Sequence, residues 1–197
     1  MELKKVPPSR IIYADPSHCM GCHGCEIACA VAHSDAESIY DAASTKGLVS
    51  RTHVIAVGDV SLPMQCRQCE DAPCAKICPT GAIRQAEGTG AVTLDEQNCI
   101  GCKLCTMVCP FGAVVVTSRS TLDGRSYGGV ATKCDLCAEW REANGEHQTA
   151  CEAACPTKAI SLVDLSEYRM AIVKARASEL VAAHALLGAG ISRGGAK

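Results

Sequence analysis

Sixteen cysteines in 197 residues, all of them in groups of four, constrain this chain more than any other feature. Cys19, Cys22, Cys25 and Cys29 follow C-x2-C-x2-C-x3-C. Cys66, Cys69, Cys74 and Cys78 follow C-x2-C-x4-C-x3-C. Cys99, Cys102, Cys105 and Cys109 repeat the first spacing, and Cys134, Cys137, Cys151 and Cys155 follow C-x2-C-x13-C-x3-C. The last three groups end in Cys-Pro, at Pro79, Pro110 and Pro156, whereas the first runs Cys29-Ala30. Aromatic residues make up only 3% of the chain. A core so poor in rings buries little apolar area per residue, so the cysteines are the candidates to fill and cross-link it.

The N-terminal stretch lacks the apolar run of a signal peptide and has no twin arginine, and no 18-residue apolar run is present. A cytoplasmic location is therefore expected, and in a reducing compartment so many cysteines read as metal ligands before disulfides. The compact spacing is that of bacterial [4Fe–4S] ferredoxins, in which the fourth cysteine of a run ligates the other cluster. Three closely spaced thiolates wrap one face of a cubane, and the amides of the tight loop point at the sulfurs. Gly21, Gly24 and Gly101 suit such a loop, because glycine permits positive φ and close backbone approach. A zinc-held scaffold is the rival of another class, but successive C-x2-C steps before C-x3-C-P are not zinc-ribbon spacing. A [3Fe–4S] variant would show a missing cysteine, and each group keeps its four.

The repeat extends beyond the cysteines. Pro-Thr-Gly-Ala-Ile follows Cys78, Pro-Phe-Gly-Ala-Val follows Cys109 and Pro-Thr-Lys-Ala-Ile follows Cys155. Each leads into a β-branched stretch, at Ile83, at 114–117 and at 160–163, and strands are expected before the groups at 10–13, 60–62, 91–94 and 129–132. Strand, cluster loop, short helical turn and strand form the repeating unit, and two four-cysteine runs make one two-cluster lobe.

Between the groups, residues 30–65 read as a partly helical insertion ending in a strand at 52–57, and 118–127 as a polar turn. The charged insert 138–150 carries the only tryptophan, Trp140, and reads as a solvated loop with its ring beside a cluster or as a partner-binding loop. From Asp164 onward a helix is expected, capped by Ser166. Met170, Val173, Ala177, Leu180, Val181 and Leu187 lie at helical spacing, Gly188 closes the helix, and 191–197 fray. Such a face normally packs on its own domain. His18, His23 and His33 surround group one as tuning residues, and Met20 and Met107 read as apolar packing beside sulfur. No catalytic set, phosphate loop or G-x-G-x-x-G is found, so the chain reads as no enzyme. The formal net charge of −2 argues against nucleic acid as a partner.

Over residues 10–163 the sequence resembles the four-cluster polyferredoxin subunits of the dimethyl-sulfoxide-reductase iron–sulfur family. The resemblance rests on the absent proline after Cys29, the x4 spacing in Cys66–Cys74 and the long group-four insert. These subunits serve formate dehydrogenases, formate-hydrogen lyase and CO dehydrogenase-linked hydrogenase systems, in anaerobic oxidoreductase complexes. Residues 25–34, Cys-Glu-Ile-Ala-Cys-Ala-Val-Ala-His-Ser, look most like the CO dehydrogenase-associated, CooF-type members.

The resemblance implies an α+β fold of two tandem, interlocked bacterial-ferredoxin-like lobes with short hairpins and helices. Residues 1–60 and 121–165 form the first, 61–120 the second, and 166–197 a C-terminal helix and frayed tail. It implies four [4Fe–4S] clusters with exchanged fourth ligands. Cys19, Cys22, Cys25 and Cys155 hold the first, and Cys134, Cys137, Cys151 and Cys29 the second. Cys66, Cys69, Cys74 and Cys109 hold the third, and Cys99, Cys102, Cys105 and Cys78 the fourth. The function implied is relay of low-potential electrons between a catalytic oxidoreductase, CO dehydrogenase first, and a second redox partner such as a hydrogenase, or the equivalent role beside formate dehydrogenase or a hydrogen-dependent CO2 reductase. Membrane-anchored relatives add a transmembrane helix, but Lys174, Arg176 and Glu179 exclude one from this tail, leaving only peripheral attachment through a partner.

Overall fold

The structure is a computed structural model that describes residues 9–34, 38–41, 49–120 and 126–190. Eight strands among these residues pair into four antiparallel two-stranded sheets. Strand β2 (Thr52–Val57) forms a hairpin with β3 (Val60–Gln65), β4 (Ile83–Gln85) with β5 (Val92–Leu94), and β6 (Val115–Ser120) with β7 (Ser126–Thr132). The fourth sheet joins the two ends of the body: β1 (Arg10–Ala14) pairs with β8 (Ile160–Asp164), from Arg10 opposite Asp164 to Ala14 opposite Ile160. That closure brings the loop after β1, which carries group one, beside the loop before β8, which carries the end of group four.

Each group of cysteines runs into a short helix whose second residue is the third cysteine. The helices are α1 (Gly24–Ala32) with Cys25, α2 (Pro73–Ile77) with Cys74, α3 (Leu104–Val108) with Cys105 and, after the insert, α5 (Ala150–Ala153) with Cys151. Proline decides where two of them stop. It disfavours helical geometry in the residue before it, and Cys78 and Cys109 are accordingly extended at ψ 113° and 112°. With Ala30 in that place, α1 continues past Cys29 for another three residues.

Expectations for the insert, the polar turn and the tail are corrected. The insert 138–150 is not a loop throughout: α4 (Ala138–Asn144) occupies its first half and stops at Gly145, which takes φ 65°. The start of α5 is then fixed by a capping box between Thr149 and Glu152. The polar turn is narrower than 118–127, because β6 reaches Ser120 and β7 begins at Ser126, leaving 121–125 outside the described residues.

The tail forms α6 (Leu165–Gly190), capped by Asp164 rather than Ser166. The Asp164 carboxylate accepts the backbone N–H of Ser166 at 2.9 Å and of Glu167 at 3.3 Å. The helix runs through Gly188, and 191–197 lie outside the described residues. Its apolar positions do not pack on the body: Val173, Leu180 and Val181 are 58%, 72% and 70% exposed. Only its start is held, where the Tyr168 ring lies 5.6 Å from that of Tyr13 on β1.

The interior is divided between two clusters of buried residues. One gathers Ile12, Leu136, Ala159 and Ile160 around Cys25, Cys66, Cys134, Cys151 and Cys155. The other gathers Ala72, Ile83, Val92, Val114 and Ala131 around Cys74 and Cys105. Sulfur supplies much of both.

Candidate metal centres

The same backbone device shapes all four cysteine loops. The residue before the second cysteine is left-handed in every group: Gly21 at φ 68°, Gln68 at 50°, Gly101 at 66° and Leu136 at 62°. Glycine was expected at such positions, and Gly21 and Gly101 fulfil that expectation. Gly101 also approaches another backbone closely, since a Cβ on it would stand 2.1 Å from the Gly129 carbonyl oxygen. Gly24 does neither; it is the first residue of α1, with its nearest neighbours at ordinary distance.

The loops bring sulfurs from distant segments together. One cavity is lined by Cys19, Cys22, Cys25 and Cys155, with Val54 and Pro63. A second is lined by Cys78, Cys99, Cys102 and Cys105, with Ile83 and Val116. Cys29 lies within electrostatic reach of Cys134 and Cys151, and Cys137 within reach of Cys151. Cys66 and Cys109 both lie within reach of Cys69 and Cys74. All sixteen cysteines are free thiols in this structure.

Backbone amides aim at the sulfurs. Arg51 donates its N–H to Cys29 Sγ at 3.3 Å, Ala131 to Cys99 at 3.4 Å and Leu136 to Cys134 at 3.5 Å. After the fourth cysteine of two groups the pattern repeats, from Ala113 to Cys109 at 3.4 Å and from Ala159 to Cys155 at 3.3 Å. The threonine of each Cys-Pro-Thr adds its hydroxyl, Thr80 beside Cys78 and Thr157 beside Cys155. Such donors favour sulfur that carries negative charge.

Burial acts in the opposite sense. It pushes the Cys25 thiol up to about 11 and the Cys151 thiol to about 12, and raises Cys134 strongly. Cys78 and Cys155 are lowered: burial opposes ionisation there too, but surrounding N–H groups and the threonine hydroxyls outweigh it. Buried thiols that become thiolates need a compensating cation, and a bound metal provides one. Sulfur-only donor sets, left-handed loops and amides directed at sulfur fit iron–sulfur ligation. They fit a zinc site less well, because zinc binding does not explain four repeats of a ferredoxin loop.

Some side chains expected near sulfur lie elsewhere. Met107 is 80% exposed and does not form the packing expected of it, whereas Met20, although 66% exposed, lines the cavity of Cys19, Cys22, Cys25 and Cys155. His18 sits outside, bonded to Asp15 at 3.0 Å. His33 is the histidine drawn in: Nδ1 lies 2.7 Å from the Cys29 carbonyl oxygen and Nε2 3.0 Å from an Asp135 oxygen. Burial opposes its protonation, but its bonds to Asp135, Cys137 and Cys29 outweigh that and raise it to about 12. Asp135 is held below the usual carboxylate range by His33 and Arg51 despite its burial. His33, Asp135 and Cys137 place one donor atom each within 4.8 Å of one another, around a cysteine of the groups already described.

Sequence reading missed the polar residues of the interior. Gln68 is 2% exposed; its amide donates to the Cys134 carbonyl at 2.9 Å and accepts the Val92 N–H at 2.8 Å. It ties group two to group four. Its only sequence signal is its place before the second cysteine, where the other groups have Gly21, Gly101 and Leu136.

Sulfur ligand sets in ferredoxin-type loops define an iron–sulfur protein of the [4Fe–4S] class. The chain belongs to the 4Fe-4S dicluster domain family, whose model matches residues 57–165, and a 4Fe-4S binding domain matches residues 16–32. It is 52% identical over 185 residues to an "Iron-sulfur protein" of Rhodospirillum rubrum, covering 91% of this chain and 96% of that protein. It is 42% identical over 165 residues to the "Electron transport protein HydN" of Escherichia coli K12, covering 79% and 89%. Formate hydrogenlyase subunit 2 of the same strain is 35% identical over 200 residues, covering 87% and 89%. Among the described residues no helix is long and apolar enough to cross a membrane.

Proposed function

We propose that this chain relays electrons through four [4Fe–4S] clusters, between a catalytic oxidoreductase and a second redox protein. The ligand sets are Cys19, Cys22, Cys25 and Cys155; Cys134, Cys137, Cys151 and Cys29; Cys66, Cys69, Cys74 and Cys109; and Cys99, Cys102, Cys105 and Cys78. The first two sets belong to one ferredoxin-like lobe, 1–60 with 121–165, and the last two to the other, 61–120. When bound, each cluster supplies a site that takes up and releases one electron at low potential.

The observation that carries this reading is the gradient of exposure along the sets. Cys22 and Cys102 are exposed, whereas Cys29, Cys134, Cys137 and Cys151 are all buried. A chain in which two sets each carry an accessible cysteine while another set is fully enclosed is built to pass charge through itself. The residues do the rest by holding and shielding. Amides and threonine hydroxyls direct positive dipoles at sulfur, and Val54, Pro63, Ile83 and Val116 keep water from it.

The partners we favour are a CO dehydrogenase and a hydrogenase, supported by the CooF-type likeness of residues 25–34. The likeness to HydN and to formate hydrogenlyase subunit 2 supports a second reading, the same role beside a formate dehydrogenase. Either partner leaves the chain without a substrate of its own, in the cytoplasm or held at a membrane complex through that partner. Anaerobic purification from the native source discriminates between them by what remains bound. Co-purification with neither enzyme overturns the partner assignment. Cys29→Ser tests the exchanged ligands: the cluster held by Cys134, Cys137 and Cys151 should be damaged. Damage confined to that of Cys19, Cys22 and Cys25 overturns the exchange.

A further inference from the structure

Lys133 is 2% exposed, although lysine is among the residues least often buried without a partner. It follows β7 and immediately precedes Cys134. Its Nζ donates to the Val92 carbonyl on β5 and to that of Cys134 at 2.9 Å. Val92 belongs to the buried cluster around Cys74 and Cys105, and Cys134 to the other. Lys133 thus stands in the seam where the two cores meet, beside Gln68, which joins the same two backbone positions.

Among the described residues no carboxylate pairs with it. Its bonds run to two carbonyl oxygens, and the acidic side chain nearest in sequence, Asp135, is taken by His33 and Arg51. An ammonium removed from water without an anion costs several kcal/mol. Two carbonyl dipoles compensate part of that cost and leave the net charge in place. The candidates for the missing anion are the sulfurs: Lys133 lies within electrostatic reach of Cys74, and Cys134 is its neighbour in the chain.

We propose that Lys133 is the buried counter-cation of the two ligand sets that face each other across the seam, the set containing Cys74 and the set containing Cys134. This rests on the ligand sets proposed above. A fixed cation between two anionic sets stabilises each further electron placed on either, so it raises both reduction potentials. It also lowers the repulsion between them where charge must cross from one lobe to the other. Lys133 acts through the cysteines as a positioning residue and contacts no substrate.

Three variants test the idea in the anaerobically purified full chain. Lys133→Met keeps the stem and removes the charge, Lys133→Gln keeps an N–H donor without charge, and Lys133→Arg keeps the charge. Iron per chain and an EPR-monitored redox titration are measured for each. The expected result is full iron in Met and Gln variants, with two midpoints lowered and two unmoved. The expected shift is tenfold in the reduced-to-oxidised ratio at fixed ambient potential, about 59 mV for a one-electron couple. The Arg variant should stay near wild type.

Full iron with no midpoint moved, or with all four moved alike, overturns the proposal. If Met and Gln variants lose iron while Arg retains it, the site demands a cation and the proposal holds. Loss in all three shows that only the shape of lysine matters and overturns it. A wild-type chain lacking the iron for four clusters fails the ligand sets themselves, and that failure is distinguishable because it precedes any variant.

Discussion

At the scale of single residues, the backbone at the second cysteine of each group is the most informative local feature. A left-handed conformation costs a residue with a Cβ about 1–2 kcal/mol. Gln68 and Leu136 bear that cost, while Gly21 and Gly101 avoid it. Gly101→Ala should destabilise the protein by at least about 1–2 kcal/mol from its φ alone, and more because the new Cβ would overlap the Gly129 carbonyl. Gly24→Ala should be neutral or stabilise α1 by about 0.5–1 kcal/mol, as an ordinary helix substitution. Thermal loss of the visible iron–sulfur absorption, followed for both variants, separates them; equal midpoints would contradict the assignment. The cysteine spacings and two of the three glycines were legible in the sequence. The left-handed Gln68 and Leu136 were not, because tertiary contacts hold them in a conformation their own chemistry disfavours. Lys133 was equally hidden, since a lone lysine ordinarily reads as surface.

At the scale of elements, proline after the fourth cysteine is the feature that sets group one apart. Ala30 is buried in the last turn of α1, and the helix it continues carries the chain to His33, whose ring reaches Asp135. Ala30→Pro would copy the other three groups and end the helix early. It should cost about 3 kcal/mol and break the His33–Asp135 contact, lowering iron content. An Ala30→Pro chain with wild-type iron and thermal stability would show that the continued helix is incidental. The strand signals in the sequence named all eight strands within a few residues, and the remaining uncertainty lay in their ends. Only the first residues of β7, 126–127, were read as turn, because serine and glycine carry weak strand signal, and pairing with β6 supplies what the local sequence lacks. The C-terminal helix was legible from its period. Its docking was not, because periodicity reports which residues share a face and not what covers that face. Since only its first turns touch β1 and β8, a chain ending at residue 168 should keep the Tyr13–Tyr168 contact. It should retain wild-type iron, with lower helicity by circular dichroism. Loss of iron on this truncation would mean that the helix supports the centres.

At the scale of the whole molecule, the pairing of β1 with β8 encloses everything between, and the cores it encloses are built substantially from cysteine. Burial raises several of those thiols and so disfavours their ionisation without a cation, and free thiols cross-link nothing until iron binds. Metal-binding free energy is then folding free energy. Iron removed by a chelator should abolish the cooperative thermal transition and the dispersion of the amide NMR spectrum. A well-dispersed spectrum from the iron-free chain would show that the apolar residues suffice. The central claim is that the sixteen cysteines hold four complete [4Fe–4S] clusters, and iron with acid-labile sulfide per chain, measured on anaerobically purified protein, tests it most directly. The account predicts about 16 iron and about 16 sulfide per chain. A chain saturated at about half those values, or one holding zinc without sulfide, would contradict it.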